Sequence, residues 1–498
     1  MNVQEAEIEE VLNLCLEKTD LTYIIQNNVI IITPKLNQNN SEKPKGLTQT
    51  IRGIIIDKDS KVTLPGANII VLNSSPLIGG VSDNDGDFRL ENVPIGRHNI
   101  KVSYIGYEEL LLPEIMVGSA KEVILTLQLT ESITDIREVV VRPYAKGAPK
   151  NEMAMISARS FSVEDASRFA ASVGDPARMA LVYAGVNGDD DITNQIVIRG
   201  NSPSGMLWRV EGAQIPNPNH FYAEGMDYGG ISILSVNMLG NSDFLTGAFP
   251  AEYGNATSGV FDISLRNGNN KKREHTVQAG LLGIDLSMEG PFSKNYNGSY
   301  LFNYRYSSTY LLNLMGLKLF GDMFPSWSDF SFKLNLPTKK VGTFSIWGLG
   351  GKSNMESEPL ADSSVWEKEY DREGYSTNPA MGATGVTHIY FPDNKSYFKS
   401  VISFSGNMHN DDYYRLDSNY VQESYYKESL HSSAFRVSTL YNRKFSSRIS
   451  LRTGFIYSNL GYNVDFGSLD DETDRWVKDN AENGSTDTYQ AYLQTKEK

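Results

Sequence analysis

The stretch from about residue 272 to the end constrains the fold most, because apolar and polar residues alternate there over unusual lengths. In 448–458, Ile449, Leu451, Thr453, Phe455 and Tyr457 share one parity, and Arg448, Ser450, Arg452, Gly454, Ile456 and Ser458 share the other. In 298–307, Tyr300, Phe302, Tyr304 and Tyr306 oppose Ser299, Asn303, Arg305 and Ser307, with Leu301 the exception. In 282–289, Leu282, Ile284, Leu286 and Met288 oppose Gly283, Asp285, Ser287 and Glu289. A period of two puts each set on its own face of a strand. A soluble antiparallel sheet with one solvated face alternates in the same way. Its strands, however, average about 5–6 residues, whereas a strand that crosses a bilayer needs ~9–11. The segments here run to ten or more residues, which favours lipid on one face and a wet lumen on the other. The connections point the same way. "PFSKNYNG", "PTKK", "FPDNK" and "KFSSR" are short, and polar stretches near 353–377, 410–430 and 463–483 are expected to be long loops. Short turns at one end and long loops at the other are the pattern of an outer-membrane barrel. About nine strands are expected, the last at 485–498. A barrel must close with an even number of strands, since an open edge in lipid leaves backbone groups unpaired. The chain is therefore expected to be cut at both ends.

The rest of the chain divides by composition. Residues 1–33 read as a helix followed by a hairpin, "LTYIIQNNVIIIT", too little to bury a core alone. Residues 34–49 are a polar linker. Residues 50–129 hold short strands separated by turns, the pattern of a small β-sandwich. In "DNDGDF", Asp83, Asp85 and Asp87 resemble the start of a calcium loop, but Pro94 stands where an EF-hand needs Glu, so a tight turn is expected. Residues 130–270 are mixed and rich in glycine, with a helix expected to start at Ser162, where Asp165 falls in the first turn. The segment "NSDFLTGAFPAEYGNATSGVFDISLRNG" (241–268) concentrates glycines and aromatics, with no histidine or cysteine. That combination suits close backbone packing and bulk rather than chemistry.

Composition excludes several function classes. The 498-residue chain carries a net charge of −14, which argues against nucleic acid as a partner. Cys15 is the only cysteine, so no intrachain disulfide forms. No apolar run is long enough for a transmembrane helix. Glu5, Glu7, Glu9 and Glu10 stand where a signal peptide has its basic region. The six histidines are scattered, and H-E-x-x-H, P-loop and G-x-S-x-G motifs are absent. Asp189-Asp190-Asp191 reads as a solvated loop. No enzyme, metal site, catalytic residue or cofactor is expected.

The order of sandwich, glycine-rich segment and barrel resembles a TonB-dependent outer-membrane receptor of the Bacteroidota type. Residues 1–33 resemble the second half of the secretin/TonB short N-terminal domain. Residues 50–129 resemble the carboxypeptidase-regulatory-like domain, most clearly in "GANIIV" and "SDNDGDFRLENVPIGRHNIKVSYIGY". Residues 130–144 are then a linker holding a TonB-box-like segment, "EVVV", Glu138, Val139, Val140 and Val141. Residues 145–270 resemble the plug, through "QIVIRGNSPSGMLWRVEGAQIPN", and 271–498 a partial barrel. The family shows an Arg-Gly pair and then an acid before Gly; here these are Arg199-Gly200 and Glu211-Gly212, with Glu in place of the more usual Asp. The fold class expected is thus mainly β: a small sandwich, an α+β plug, and part of a large antiparallel transmembrane barrel.

The resemblance implies plug-gated uptake of a ligand across the outer membrane, with the N-terminal domains in the periplasm. An extended TonB box works by adding a strand to the partner's sheet, which names the TonB energy-transducing protein as a partner. Outer-membrane lipid, an extracellular ligand and, through the N-terminal domain, an anti-sigma regulator complete the implied set. Arg199 and Glu211, with their glycines, are expected to latch the plug core. Two other readings stand beside uptake: a barrel-anchored surface-binding or structural protein without transport, and a receptor fragment inactive alone.

Overall fold

The computed structural model describes residues 12–34, 46–132, 142–143, 148–161, 174–188, 193–222, 229–308 and 325–497, apart from isolated positions within these ranges. They form two compact units, Met1–Ala145 and Lys146–Lys498.

In the first unit, β1 (Leu21–Gln26) and β2 (Val29–Pro34) form the hairpin that the two β-branched runs predict, with Gln26 opposite Val29. The helix expected before it lies mostly outside the described residues. A sandwich follows: β3 (Thr48–Asp57), β4 (Asn68–Val71), β5 (Ile78–Val81), β6 (Asp87–Pro94), β7 (Gly96–Ser103), β8 (Leu110–Val117), β9 (Val123–Leu129) and the short β10 (Arg142–Pro143). One sheet runs β6-β3-β9 and the other β10-β8-β7-β4-β5. Alternation builds the core. In β6, Phe88 and Leu90 point inward while Arg89 is exposed, and they meet Ile51, Ile55, Ile69, Ile100 and Leu129 from the other strands. "DNDGDF" is a tight turn. Asp83 Oδ1 accepts from the Asp85 and Asp87 amides at 3.0 and 2.9 Å, and Gly86 supplies the positive φ of 78°.

The second unit begins with a small mixed sheet. Its strands are β11 (Ala158–Phe161), β14 (Met206–Val210), β15 (Ala213–Ile215), β16 (Ser242–Leu245) and β17 (Gly259–Ile263), in the order β11-β16-β17-β14-β15. A two-residue pair, β12 (Val186–Asn187) and β13 (Val197–Ile198), lies beside it. Among the described residues the only helices here are 3-10 turns, such as Ala177–Val182; the helix expected at Ser162 lies outside them. Segment 241–268 forms the centre of this sheet. Phe244 and Phe261 are buried with ring centroids 4.6 Å apart, and Trp208 stacks on Phe261 at 4.7 Å. A Cβ at Gly259 would stand 2.2 Å from Ile198 Cδ1 and 2.7 Å from Met206 Sδ, so any larger residue would force these side chains to shift.

The wall consists of β18 (Glu274–Gly280), β19 (Gly283–Ser293), β20 (Tyr296–Ser308), β21 (Ser326–Pro337), β22 (Thr343–Ser357), β23 (Glu373–Thr377), β24 (Ala380–Asp393), β25 (Ser396–Leu416), β26 (Gln422–Lys444), β27 (Ile449–Asp470) and β28 (Arg475–Glu497). They make one antiparallel sheet in chain order. β23 and β24 pair the same two neighbours, β22 and β25, and fill one place between them. The eleven strands therefore occupy one place more than the nine expected. Alternation holds as read. Phe404, Phe435 and Phe455 are exposed on the outer face, while Ser403, Ser405, Ser450 and Arg452 are buried on the inner one. Leu301, the exception to the pattern, points inward and joins the core of the small sheet.

Two of the expected long loops are corrected. β25 continues to Leu416 and β26 starts at Gln422; β27 continues to Asp470 and β28 starts at Arg475. Stretches 410–430 and 463–483 are therefore mostly strand. Polar sequence suggested loops, but a ladder wetted on both faces needs no apolar side. Only 358–372 remains a long connection of the three, between β22 and β23. The four last strands have 21 to 23 residues, roughly 75 Å of chain, well beyond the need of a bilayer.

Candidate functional site

The inner face of the wall meets the small sheet along most of its width. Asn237 Nδ2 donates to Asp285 of β19 at 3.1 Å, Lys333 of β21 to Glu211 at 3.0 Å, and Arg436 of β26 to the Gln214 carbonyl at 3.3 Å. Gln490 of β28 donates to Asn255 Oδ1 at 2.7 Å. With neighbouring strands about 4.8 Å apart, a flat sheet could not bring β19 and β28 to one small body; the wall curves around it, and the body is a plug.

The two motif pairs occupy matching turns. Arg199 and Gly200 have φ of 51° and 77°, and Glu211 and Gly212 have 54° and 96°. Two successive residues in the left-handed region are what a two-residue type I′ turn requires. One turn is closed by the Ile198–Asn201 bridge, and the other joins Val210 to Ala213 in the β14–β15 hairpin. From there the pairs diverge. Arg199 is exposed, donates to Ser157 Oγ at 3.4 Å and lies over Gly185, within the plug. Glu211 is buried at the wall. It accepts from the Leu265 amide at 2.7 Å and from Lys333 Nζ at 3.0 Å, while Thr387 Oγ1 donates to its carbonyl at 3.4 Å. Burial pushes the Glu211 carboxyl up, but Lys333 and Lys399 outweigh it and hold the group below its usual range. Wall and turn also touch at Gly212, where a Cβ would stand 2.9 Å from Lys399 Nζ. The structure does not bring Arg199 and Glu211 together. The segment Glu138, Val139, Val140 and Val141 lies outside the described residues.

The strongest charge cluster lies elsewhere. Arg452, on the inner face of β27, is buried and pairs with Glu152 and Glu252 of the plug. It also donates to Asn151 Oδ1 at 2.9 Å and to Tyr397 OH of β25 at 3.1 Å. Within the plug, Arg209 reaches Glu252 at 3.2 Å and sits 4.7 Å over the Tyr253 ring. Burial alone would raise the Glu252 carboxyl; Arg452 and Arg209 hold it at about 2. Nearby, Asp243 accepts from the Lys150 and Asn151 amides at 2.8 and 2.7 Å. Burial pushes it up to about 6, against those two bonds and with the help of Asp262. A second cluster joins plug His220 to Asp329 at 3.0 Å and Ser353 at 2.9 Å, with Arg305 on Asp329 at 2.8 Å and on the Ser232 carbonyl at 2.6 Å. Burial holds His220 below its ordinary value. A third is the two-bond contact of Arg266 with Glu289 of β19, at 2.7 and 2.8 Å.

Motif spacing does not mark Arg452 or its acids. The signal available is the alternation itself. A charge on the lumen face in mid-strand needs a buried partner, and Arg305 and Arg452 both stand on that face.

Comparison with known proteins agrees with this architecture. Residues 51–141 match the CarboxypepD_reg-like domain family. The TonB-dependent transporter Oar of Myxococcus xanthus is 22% identical over 233 residues, 45% of this chain and 21% of that protein. The chain thus spans about a fifth of the length of that curated relative. A solved structure of Pseudomonas aeruginosa FpvA bound to heterologous pyoverdines superposes over 98% of this chain and 57% of its own, with a TM-score of 0.52 at 11% identity. The FpvAI–pyocin S2 complex covers 99% of this chain and 58% of the matched one, with a TM-score of 0.50 at 11% identity. At such identity the two structures speak for the fold. The chain thus carries a CarboxypepD_reg-like domain, is similar over part of its length to a TonB-dependent transporter, and has a fold, plug against barrel wall, similar to that of the FpvA structures.

Proposed function

We propose that this chain belongs to an importer that admits a ligand through the outer membrane by moving its plug. The observation that carries the reading is how the plug is held. Arg452, Arg305 and Lys333 of the wall grip Glu152, Glu252, Ser232 and Glu211 of the plug by ion pairs and hydrogen bonds. Such contacts hold firmly while dry and lose their hold once water enters, which suits a body that must stay shut and still be displaced.

In this reading a ligand arrives at the end where the long strands project, the outer end by the rule that barrels keep short turns in the periplasm. The N-terminal domains stand on the periplasmic side, and Glu138–Val141 serves as the TonB box. The energy-transducing partner takes it as an added strand and pulls. Arg199 and Glu211 shape the turns that keep the plug in register, with Glu211 the wall-side contact. The N-terminal hairpin belongs to a domain that touches an anti-sigma regulator. Deleting Glu138–Val141 in the full-length protein is expected to abolish uptake and leave ligand binding at the cell surface intact. Uptake that survives the deletion would remove the reading.

A further inference from the structure

We infer that the outer face of the wall carries a saccharide-binding cleft for the headgroup of a glycolipid in the surrounding leaflet. The cleft has a volume of about 650 Å³ and lies across β23, β25, β26, β27 and β28, a size suited to a small ligand. Strand register fixes the face it opens on. Asn410 and Asp412 have the parity of Phe404 and Met408, which are exposed on the outside. Across the ladder, Ser429 faces Asn410, Lys427 faces Asp412, and Asp465 faces Ser429. All are therefore turned away from the lumen, on the side that the plug never sees.

Position names the occupant. On β25 the outward residues run Ile402, Phe404, Gly406, Met408 and then Asn410 and Asp412. The cleft thus starts one outward step beyond the apolar band. A molecule whose acyl chains lie along Phe404 and Met408 carries its headgroup into the cleft. The lining selects the chemistry. Trp476 lies over Gly467, whose Cβ, if present, would stand 3.0 Å from the indole Nε1. The missing side chain lets the ring rest against the strand and present a platform, 45% exposed, to which the apolar face of a sugar can bind. Ser376, Asn378, Asn410 and Ser429 offer hydroxyls and amides around it. Lys427 pairs with Asp412 at 3.3 Å and Lys478 with Asp465 at 2.9 Å. With Asp411 and Glu428 also in the lining, four carboxylates outnumber two lysines; the surplus of negative charge disfavours a phosphate, and the two pairs supply fixed acceptors and donors for sugar hydroxyls. The inference rests on the barrel standing in an outer membrane and is independent of transport.

The test uses the complete protein in phosphatidylethanolamine nanodiscs, whose assembly itself reports membrane insertion. Three probes are titrated by native mass spectrometry: lipooligosaccharide, phosphatidylglycerol, which carries acyl chains but no sugar, and the free core oligosaccharide. Lipooligosaccharide is expected to bind most tightly, and Trp476→Ala to weaken it about tenfold, or 1.4 kcal/mol. Asn410→Ala, a small change that spares the ring platform, is expected to weaken it less and in the same direction. Equal binding of phosphatidylglycerol would overturn the inference, because the sugars would then contribute nothing. Equal binding of the free oligosaccharide would overturn it too, by making the membrane source irrelevant. Binding unaffected by both substitutions would place the lipid elsewhere.

Discussion

The sandwich and the plug are both small β bodies, yet they are stabilised in different ways. The sandwich core is closed on itself: Ile51, Ile55, Ile69, Leu90, Ile100 and Leu129 come from its own strands, and the residues packed around it are its own. The plug core is shared. Phe244, Phe261 and Ile263 are continuous with Leu301, Trp347, Leu349, Met381 and Val401 of the wall. Its remaining contacts with the wall are buried charges, such as Arg452 with Glu152 and Glu252, and hydrogen bonds such as Gln490 to Asn255. Apolar surface is enough for a body that must stay folded by itself. The plug is held to the wall in part by polar groups whose attraction water can weaken.

That contrast can be broken most forcefully at Arg452. Arg452→Ala removes the wall cation from Glu152 and leaves Glu252 with Arg209 alone, a loss of roughly 3–5 kcal/mol. Hydrogen exchange is expected to rise in 148–161 and 250–258 and to stay unchanged in the sandwich. If exchange in the plug does not move, the plug is not held by charge. The converse substitution, Ile55→Ala, should cost the sandwich about 3 kcal/mol and lower its melting transition. The wall and plug should melt as before; a shared shift would mean that the sandwich is not self-sufficient.

A smaller and pH-dependent effect is expected at Asp243. Its folded value of about 6 lies above the ordinary 3.8, so the folded state binds the proton more tightly. The stability it contributes is full below about pH 4 and is lost as pH rises through about 6. Moving from pH 5 to 7 should cost roughly 1 kcal/mol, and Asp243→Asn should flatten that slope in a denaturation series. Glu252 behaves oppositely. At about 2, below the ordinary 4.5, its contribution is full above about pH 4.5 and fades only in strong acid. A wild-type slope of the other sign would show that Asp243 is ionised throughout. The smallest effect belongs to the exposed pair on β28. Lys478→Ala should change stability by less than about 1 kcal/mol, and a larger loss would mean that the rim depends on charge as the plug does.

Much of this was legible in residue order. Period two in 298–307 and 448–458 placed Arg305, Ser307, Ser450 and Arg452 on the lumen side, and even the misfit of Leu301 marked a real contact with the plug. The glycines and aromatics of 241–268 read correctly as packing. What residue order concealed was pairing across hundreds of positions. Nothing near Arg452 in sequence announces Glu152, and a motif that draws the eye to Arg199 and Glu211 conceals that both sit in turns demanding left-handed backbone. The strand tips were misread for a related reason. "GNMHNDDYYRL" and "QESYYKESLHS" are polar on both faces, and composition alone separates a wet ladder from a loop poorly.

The length of those ladders has a kinetic consequence. Ordering a residue of loop costs about 1–2 kcal/mol of conformational entropy, and a rim made of loops must meet that cost whenever something docks on it. Along β25 to β28 the backbone is already fixed by its neighbours up to the tips at 417–421 and 471–474. Whatever approaches this part of the rim meets a surface whose shape is set beforehand. Encounter there is then governed by orientation and charge rather than by waiting for a segment to fold.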